Sequence, residues 1–292
     1  MIRRALGLLA LAGLAMLALS HLGWWFPPGD SLAVLRPQTL VAALPVLALL
    51  WWSGGRRLAG IALLLVGLSA ALTARDWIGP TGRSPGDLTL YQKNLLYAAR
   101  QQEAFEAEIA ALSPDVLTLQ EVIGRNLEMV ERLGAAYPHR VHCPWRAVGG
   151  PAILSRWPMG ETRCPAEGLA LARVERPGGA LWIAALHLHW PWPYGQAEQL
   201  EAVLAELEGL DAPVILGGDF NMVAWGASVR RVAEAAGAVR VGRIRTTFPR
   251  GGALLPLPID HVLVPEGASA SVELRPRLGS DHLGLFARIA LP

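Results

Sequence analysis

Val214-Ile215-Leu216-Gly217-Gly218-Asp219-Phe220-Asn221 is a short apolar run that ends on two glycines, then on a carboxylate and an amide two residues apart. In extended backbone that spacing points the Asp219 and Asn221 side chains the same way, and the glycines let another backbone or a substrate approach closely. A carboxylate so placed positions or polarises a water, and the amide beside it donates to a phosphoryl oxygen. An Asx cap on a turn would use the same two residues. The choice is decided by five more polar motifs that close apolar runs in the same manner: Lys93-Asn94-Leu95-Leu96, Leu119-Gln120-Glu121-Val122, Ala185-Leu186-His187-Leu188, Ile259-Asp260-His261-Val262 and Ser280-Asp281-His282. Carboxylates, amides and imidazoles at strand ends are what a hard divalent cation and a phosphate ester require.

Each motif carries its own chemistry. Glu121 ends the buried run Val116–Gln120, where a carboxylate costs several kcal/mol unless it is paired or bound to a cation. Mg²⁺ suits such a place, because it takes one or two carboxylates and keeps waters and substrate phosphate as its other ligands. A Glu capping the next helix is the plainer reading. His282 with Asp260 offers a base and an orienting acid, since a carboxylate partner fixes the tautomer and makes the imidazole a better proton acceptor. His187 ends the strand Leu181–Leu186 and reads either as a functional tip or as a satisfied core histidine.

Around these motifs the pattern gives strands at Leu88–Asn94 and Val116–Glu121, separated by a helix over Tyr97–Leu112 that stops at Ser113-Pro114-Asp115. A helix at Asn126–Leu133 precedes strands at Arg140–His142, Ala152–Leu154, Leu169–Val174 and Leu181–Leu188. Gln196–Leu207 is an amphipathic helix, Val214–Leu216 a short central strand and Val229–Ala236 a helix. Strands at Ile259–Val264, Val272–Leu274 and Leu285–Ile289 finish the chain. The alternation predicts an α+β domain over residues 87–292, built as two mixed β-sheets packed face to face under outer helices.

The chain has 292 residues, 52% hydrophobic and 17% charged, and its mean hydropathy of +0.34 is high for a plain soluble enzyme. The excess is local. Ala5–Leu22, Pro37–Trp52 and Leu58–Ala74 carry no charge, and each approaches the ~17–25 residues that span a hydrocarbon core. Trp24, Trp25, Trp51, Trp52 and Trp77 stand at their ends, where amphipathic rings favour the membrane interface. Pro45 is tolerable in a membrane helix. Residues 1–75 therefore read as an anchor of three spans, the second being the weakest, with a two-span hairpin as the alternative. A cleaved signal peptide fits the first stretch poorly, because no small-x-small site follows it. With three spans, Arg3-Arg4 and Arg56-Arg57 lie on one side, which the positive-inside rule makes cytoplasmic. The domain is then periplasmic or extracellular to a bacterial inner membrane; two spans would reverse this.

Residues 76–86 read as a linker broken by Gly and Pro. Residues 1–83 hold seven arginines and two aspartates, leaving 19 basic and 22 acidic residues beyond. The domain is thus slightly acidic, which weakens a duplex-binding role. Cys143 and Cys164 are the sole cysteines: a disulfide in an oxidising compartment or two half-buried thiols.

Taken together, the motifs resemble the endonuclease/exonuclease/phosphatase superfamily, the metal-dependent fold of deoxyribonuclease-, sphingomyelinase- and inositol-phosphatase-like enzymes. The likeness covers about residues 87–290 and is carried by the six motifs with Ala152-Ile153-Leu154-Ser155-Arg156. It implies a four-layer α/β-sandwich and a metal-dependent hydrolase of phosphate esters. Asn94, Glu121 and Asp281 would hold or adjoin Mg²⁺, with Mn²⁺ as a substitute. Asp219 would position or activate the water, and Asn221 would contact the phosphoryl group. His282, oriented by Asp260, would act as base or stabilise the phosphorane, and His187 would bind phosphate or assist the leaving group. The first motif departs from the family pattern, since Leu95, Leu96 and Tyr97 follow Asn94 where a second polar residue is common. His189-Trp190-Pro191-Trp192-Pro193-Tyr194 adds an aromatic run that would stack on a base, contact an acyl chain, rest on a bilayer or simply pack on the domain.

The sequence thus predicts a membrane-anchored phosphodiesterase whose substrate is nucleic acid or a phospholipid headgroup, the tether and acidity leaning toward lipid. Its partners are that substrate and the bilayer, and nothing marks a protein partner. A catalytically silent scaffold is the alternative, although Glu121, Asp219 and His282 all stand. The apolar stretches themselves hold no Asp, Glu, Lys or Arg and read as an anchor.

Overall fold

The computed structural model describes residues 1–82, 86–249, 255 and 257–292. In the globular part the described residues form two six-stranded sheets. The first runs β11(Ser269–Arg275)-β12(Gly284–Ala290)-β1(Leu88–Asn94)-β2(Val116–Val122)-β4(Gly150–Ser155)-β3(His139–His142). The second runs β5(Met159–Ala166)-β6(Leu169–Arg176)-β7(Gly179–His187)-β8(Val214–Asp219)-β10(Asp260–Pro265)-β9(Ala238–Arg240). Each is antiparallel except at its centre, where β1 lies parallel to β2 and β7 parallel to β8. A parallel pair needs a crossover; α5(Gln102–Leu112) and α7(Gln196–Glu208) supply them. With α6(Arg125–Arg132) and α8(Ala227–Ala235) they cover the outer faces, completing the α+β four-layer sandwich.

The layer between the sheets positions the site. Side chains alternate along a strand, and the inward positions are apolar at one end of the sandwich: Leu88 and Leu90 on β1, Val116 on β2, Ile183 and Ala185 on β7, Ile215 on β8, Val262 and Val264 on β10. Continuing at period two toward the other end, the same face becomes Gln92 and Asn94, Thr118 and Gln120, His187, Asp219, and Asp260. Parallel register puts Asn94 beside Gln120 and His187 beside Asp219, and antiparallel register sets Asp260 across from Asp219. The carboxyl ends of both parallel pairs thus meet at one end, where α/β sheets generally bind ligands.

The N-terminal part is four helices. α1(Ile2–Ser20) and α4(Arg56–Ala74) are long and apolar enough to cross a membrane, and α2(Pro27–Val34) with α3(Arg36–Trp52) forms a pair bent by 67° that passes the same test together. α1, α3 and α4 pack through Ala10, Leu17, Leu47, Leu50, Ala59, Ala62 and Val66. Their outward faces are apolar as well, with Leu8, Leu11, Leu44, Ile61, Leu64 and Leu68 exposed. A helix apolar all round belongs in lipid or a large core.

Several expectations change. The helix expected from Tyr97 starts at Gln102, because Leu96 takes φ +61 and the backbone of residues 96 and 97 bonds to Asn126 and Glu121 instead. β5 escaped the pattern because this edge strand exposes Gly160, Glu161 and Thr162 and so lacks apolar alternation. α2 lies between the first two apolar stretches, where no helix was expected, and its prolines sit in its first turn, where Pro is at home. Residues 76–82 of the expected linker run along the domain: Ile78 pairs with Arg243, and Gly79 and Gly82 N–H donate to the Gly242 and Ala270 carbonyls. Residues 83–85 lie outside the described part. Cys143 and Cys164 are joined in a disulfide.

At Gly217 the two sheets approach closely. A Cβ there would overlap the Thr118 hydroxyl and press on Gln92 Cβ and Cγ at 3.2 Å. Overpacking of this kind costs about 1–3 kcal/mol. Gly217→Ala is therefore expected to lower the denaturation midpoint by that equivalent, measured by near-ultraviolet circular dichroism of the full chain in detergent; an unchanged midpoint would show that the sheets are not in contact there.

Candidate active site

Gln92, Asn94, Thr118, Gln120, His187, Asp219 and Asp260 reach the polar end of the inter-sheet layer by the strand alternation just described, Asn221, Ser280 and His282 stand in the turns that adjoin it, and Glu121 breaks the alternation of its own strand. The β2–β4 register shifts between Leu119 and Val122, and Glu121 sits in that bulge at φ +59. A bulge re-aims a side chain out of the strand's alternation. The Glu121 carboxylate thereby swings to the site, where it accepts from Asn94 Nδ2 (3.0 Å) and Tyr97 N–H (2.7 Å). The Tyr97 amide thus serves at the corner where a second polar side chain was missing.

Asp219 is the hub. Its Oδ2 accepts from Asn94 Nδ2 at 3.0 Å and lies 3.7 Å from both His187 Nε2 and His282 Nε2. Its Oδ1 accepts the Asn221 N–H at 2.9 Å, so the Asx turn and the functional placement coexist. Burial lifts the Asp219 pKa to about 7 against the pull of His282. Burial likewise raises Glu121, although the bonds from Asn94 and Tyr97 oppose it. Asp281 is close enough to raise Glu121 further.

His282 is held on three sides. Its Nδ1 pairs with Asp260 Oδ2 at 2.8 Å, its N–H donates to Ser280 Oγ (3.0 Å), and its carbonyl accepts from Lys93 Nζ (2.9 Å). The Ser280 hydroxyl in turn donates to the Asn94 carbonyl. Asp260 also accepts from Gln92 Nε2 at 3.0 Å. Burial opposes charge on His282, but the Asp260 and Asp219 carboxylates outweigh it and raise the pKa to about 9. Asp260 goes down: burial works against its ionisation, and the His282 charge and hydrogen bond prevail. Lys93, Gln92 and Ser280 are thus working parts. For Gln92 the readable signal was its alternation with Asn94 on one face.

His187 is different. Burial and the neighbouring His282 charge push its pKa down to about 3, leaving a neutral imidazole whose Nδ1 has no hydrogen-bond partner among the described residues. Asn221, at φ +48, donates Nδ2 to the Leu188 carbonyl at 2.7 Å, which commits one of its two N–H bonds. Aromatic walls that sequence reading did not anticipate flank the histidines: Trp145 meets His187 edge-on at 5.4 Å, and Phe248 lies 4.8 Å from His282.

The donor set fits a divalent cation. Glu121 and Asp219 are carboxylates raised by burial, bridged by one amide, and neither pairs with a lysine or arginine among the described residues. Such charge calls for a cation. Asn94 Oδ1 accepts one bond, from the Leu96 N–H, and keeps a second lone pair. Asp219, Asp260 and His282 also bring ligand atoms within 4.8 Å of one another, but His282 Nδ1 is committed to Asp260 and a charged imidazole repels a cation. Glu121 with Asn94, beside Asp281, is the better cradle.

In metal-free protein the His282 ring should stay protonated through neutral pH and titrate toward about 9. Asp260→Asn removes the main charge raising it while burial remains, so the titration should fall by at least about one pH unit. Imidazole NMR shifts report both; an unmoved pKa in Asp260→Asn would contradict the pairing.

No sequence among the curated proteins matches this chain. Three solved structures of similar fold are an endonuclease/exonuclease/phosphatase from Beutenbergia cavernae DSM 12333 (20% identity, 70% of this chain and 72% of that one, TM-score 0.58), D. rerio TDP2 complexed with single strand DNA product (20%, 70% and 99%, TM-score 0.57), and sphingomyelinase C from Streptomyces griseocarneus (18%, 70% and 99%, TM-score 0.51). At such identities the likeness is one of fold. The sequence model of the Endonuclease/Exonuclease/phosphatase family matches residues 91–282, which begins in β1 and ends on His282, and the chain belongs to that family.

Proposed function

We propose that this protein is a membrane-anchored, Mg²⁺-dependent phosphodiesterase that directs a water in line at phosphorus. Family membership makes it a metal-dependent hydrolase of phosphate esters. The observation that carries the finer reading is the convergence on Asp219 Oδ2, with Asn94 at 3.0 Å and two imidazoles at 3.7 Å. Environments that drive neighbouring groups apart assign their roles. Asp219, buried and raised, positions the water and takes its proton. His282, held charged by Asp260, presents Nε2–H to the phosphoryl oxygen whose charge grows in the transition state. His187 is neutral and donates to the phosphate or toward the leaving oxygen. The remaining Asn221 N–H is a further donor. Glu121 and Asn94, with Asp281 nearby, would hold the ion, which when bound neutralises phosphoryl charge.

A diester suits the site better than a monoester. Glu121, Asp219, Asp260 and Asp281 already concentrate carboxylates here, and a monoanionic diester adds less negative charge than a dianionic monoester. TDP2 with its DNA product and sphingomyelinase C are consistent with diester chemistry.

The anchor reading rests on the apolar outward faces of α1, α3 and α4. Gly7 lies against Leu58, and Gly54 near Arg3, so Arg3-Arg4 and Arg56-Arg57 share one end of the bundle. The positive-inside rule makes that end cytoplasmic, and the domain at the other end periplasmic or extracellular.

The test uses the full chain in detergent with a soluble diester, bis(p-nitrophenyl) phosphate, under Mg²⁺ or EDTA. Turnover should require Mg²⁺, and Asp219→Ala and His282→Ala should each lose about 100- to 10,000-fold in kcat/KM. Undiminished turnover in both variants, or in EDTA, would refute the assignment.

A further inference from the structure

The anchor does not hang loosely from the domain. α8 begins after Gly226, which has no side chain to cap it, and Asp30 of α2 does so instead: its carboxylate accepts the Ala227 and Ser228 N–H groups and the Ser228 hydroxyl. Trp225 Nε1 donates to the Ala33 carbonyl (2.7 Å). Arg36, at the α2–α3 bend, donates both to Ser20 at the end of α1 and to the Trp225 carbonyl. The Phe220–Trp225 segment so gripped leads directly from Asp219 and Asn221. The end of the sandwich held to the anchor is therefore the end that carries the site.

The aromatic run lies along the same border. The Ser31 hydroxyl of α2 donates to the Trp192 carbonyl at 2.7 Å, and a cleft of about 180 Å³ lies between Trp24, Trp25 and Pro27 on one side and Pro191 and Trp192 on the other. Trp25 is 79% exposed, Trp192 55% and Tyr194 67%. From this rim, Trp190 packs on Phe248 at 6.1 Å and Phe248 on His282 at 4.8 Å. Aromatic side chains thus line this border from the end of α1 to the catalytic histidine, and Trp and Tyr partition to the headgroup level of a bilayer.

Accepting the anchored phosphodiesterase reading, we propose that Trp192 and Tyr194 lie in the headgroup layer of the bilayer that α1, α3 and α4 cross, and that the substrate is a phospholipid of that bilayer, whose phosphodiester enters along the rim. Nucleic acid would have to reach a site whose mouth is held against the membrane by Asp30 and Arg36, past a slightly acidic domain.

The experiment uses the full chain in vesicles of phosphatidylethanolamine and phosphatidylglycerol, with nitroxides on Trp192→Cys and Tyr194→Cys, and on Pro177→Cys in the β6–β7 turn at the opposite end of the sandwich. Spin labels at 192 and 194 should be reached by oxygen in preference to a water-soluble nickel chelate, and the label at 177 the reverse. The vesicle phospholipid should be hydrolysed with Mg²⁺ while an added single-stranded oligonucleotide is not. In Trp192→Ser/Tyr194→Ser, the ratio of lipid to soluble-diester turnover should fall about tenfold, as loss of interfacial burial of two rings implies. Labels at 192 and 194 as water-exposed as that at 177, or cleavage of the oligonucleotide and not the lipid, would overturn the inference while leaving the phosphodiesterase reading intact. Failure to cleave even the soluble diester would overturn both.

Discussion

A carboxylate sealed between two sheets cannot stay charged without help, and Asp219 is such a carboxylate. It is 1% exposed, and the inter-sheet layer around it is polar because it must answer that charge: Asn94 donates directly, His187 and His282 flank, and Asp260 keeps His282 cationic. Take the carboxylate away and the remaining groups lose their reason to converge. The same demand explains the outer positions. Lys93 and Ser280 hold the turn that carries His282, and Thr247 accepts from the Ile259 and Asp260 N–H groups at the start of β10.

Geometry makes that burial possible. The two parallel pairs, each closed by one crossover helix, present their carboxyl ends at the same end of the stacked sheets, and Gly217 lets the sheets stack tightly there. The apolar end of the layer supplies the stability, and the polar end holds the chemistry. A second constraint acts on the outside of the same end, where Asp30 supplies to α8 a cap that its own sequence lacks, a contact of a type worth about 1 kcal/mol. The cap ties the N-terminal helices to the loop that follows Asp219. Arg36 adds a second tie, satisfying the Ser20 and Trp225 carbonyls together.

Much of this was readable from the residues. The six motifs named Asn94, Glu121, His187, Asp219, Asp260 and His282, because a polar residue ending an apolar run is a local signal, and period-two alternation gave most strands. What could not be read depends on distant partners or on rule-breaking backbone. Glu121 reaches the site through a bulge with positive φ, which no propensity favours for Glu. α2 hides behind Pro27-Pro28-Gly29, and its purpose, the Asp30 cap, lies almost two hundred residues away. β5 is an exposed edge without alternation. Trp145 and Phe248 sit in irregular segments, where nothing in spacing links them to a histidine. The linkage of Cys143 to Cys164 required knowing that β3 and β5 approach each other.

If the buried carboxylates answer to a divalent cation, that ion sits at Glu121. Anomalous diffraction from crystals of the full chain soaked in Mn²⁺ tests it most directly. The strongest peak should lie against the Glu121 carboxylate and Asn94, on the Asp281 side of the site, with the His282–Asp260 pair intact. A peak among Asp219, Asp260 and His282 with Glu121 unbound, or no peak in this layer at all, would contradict it.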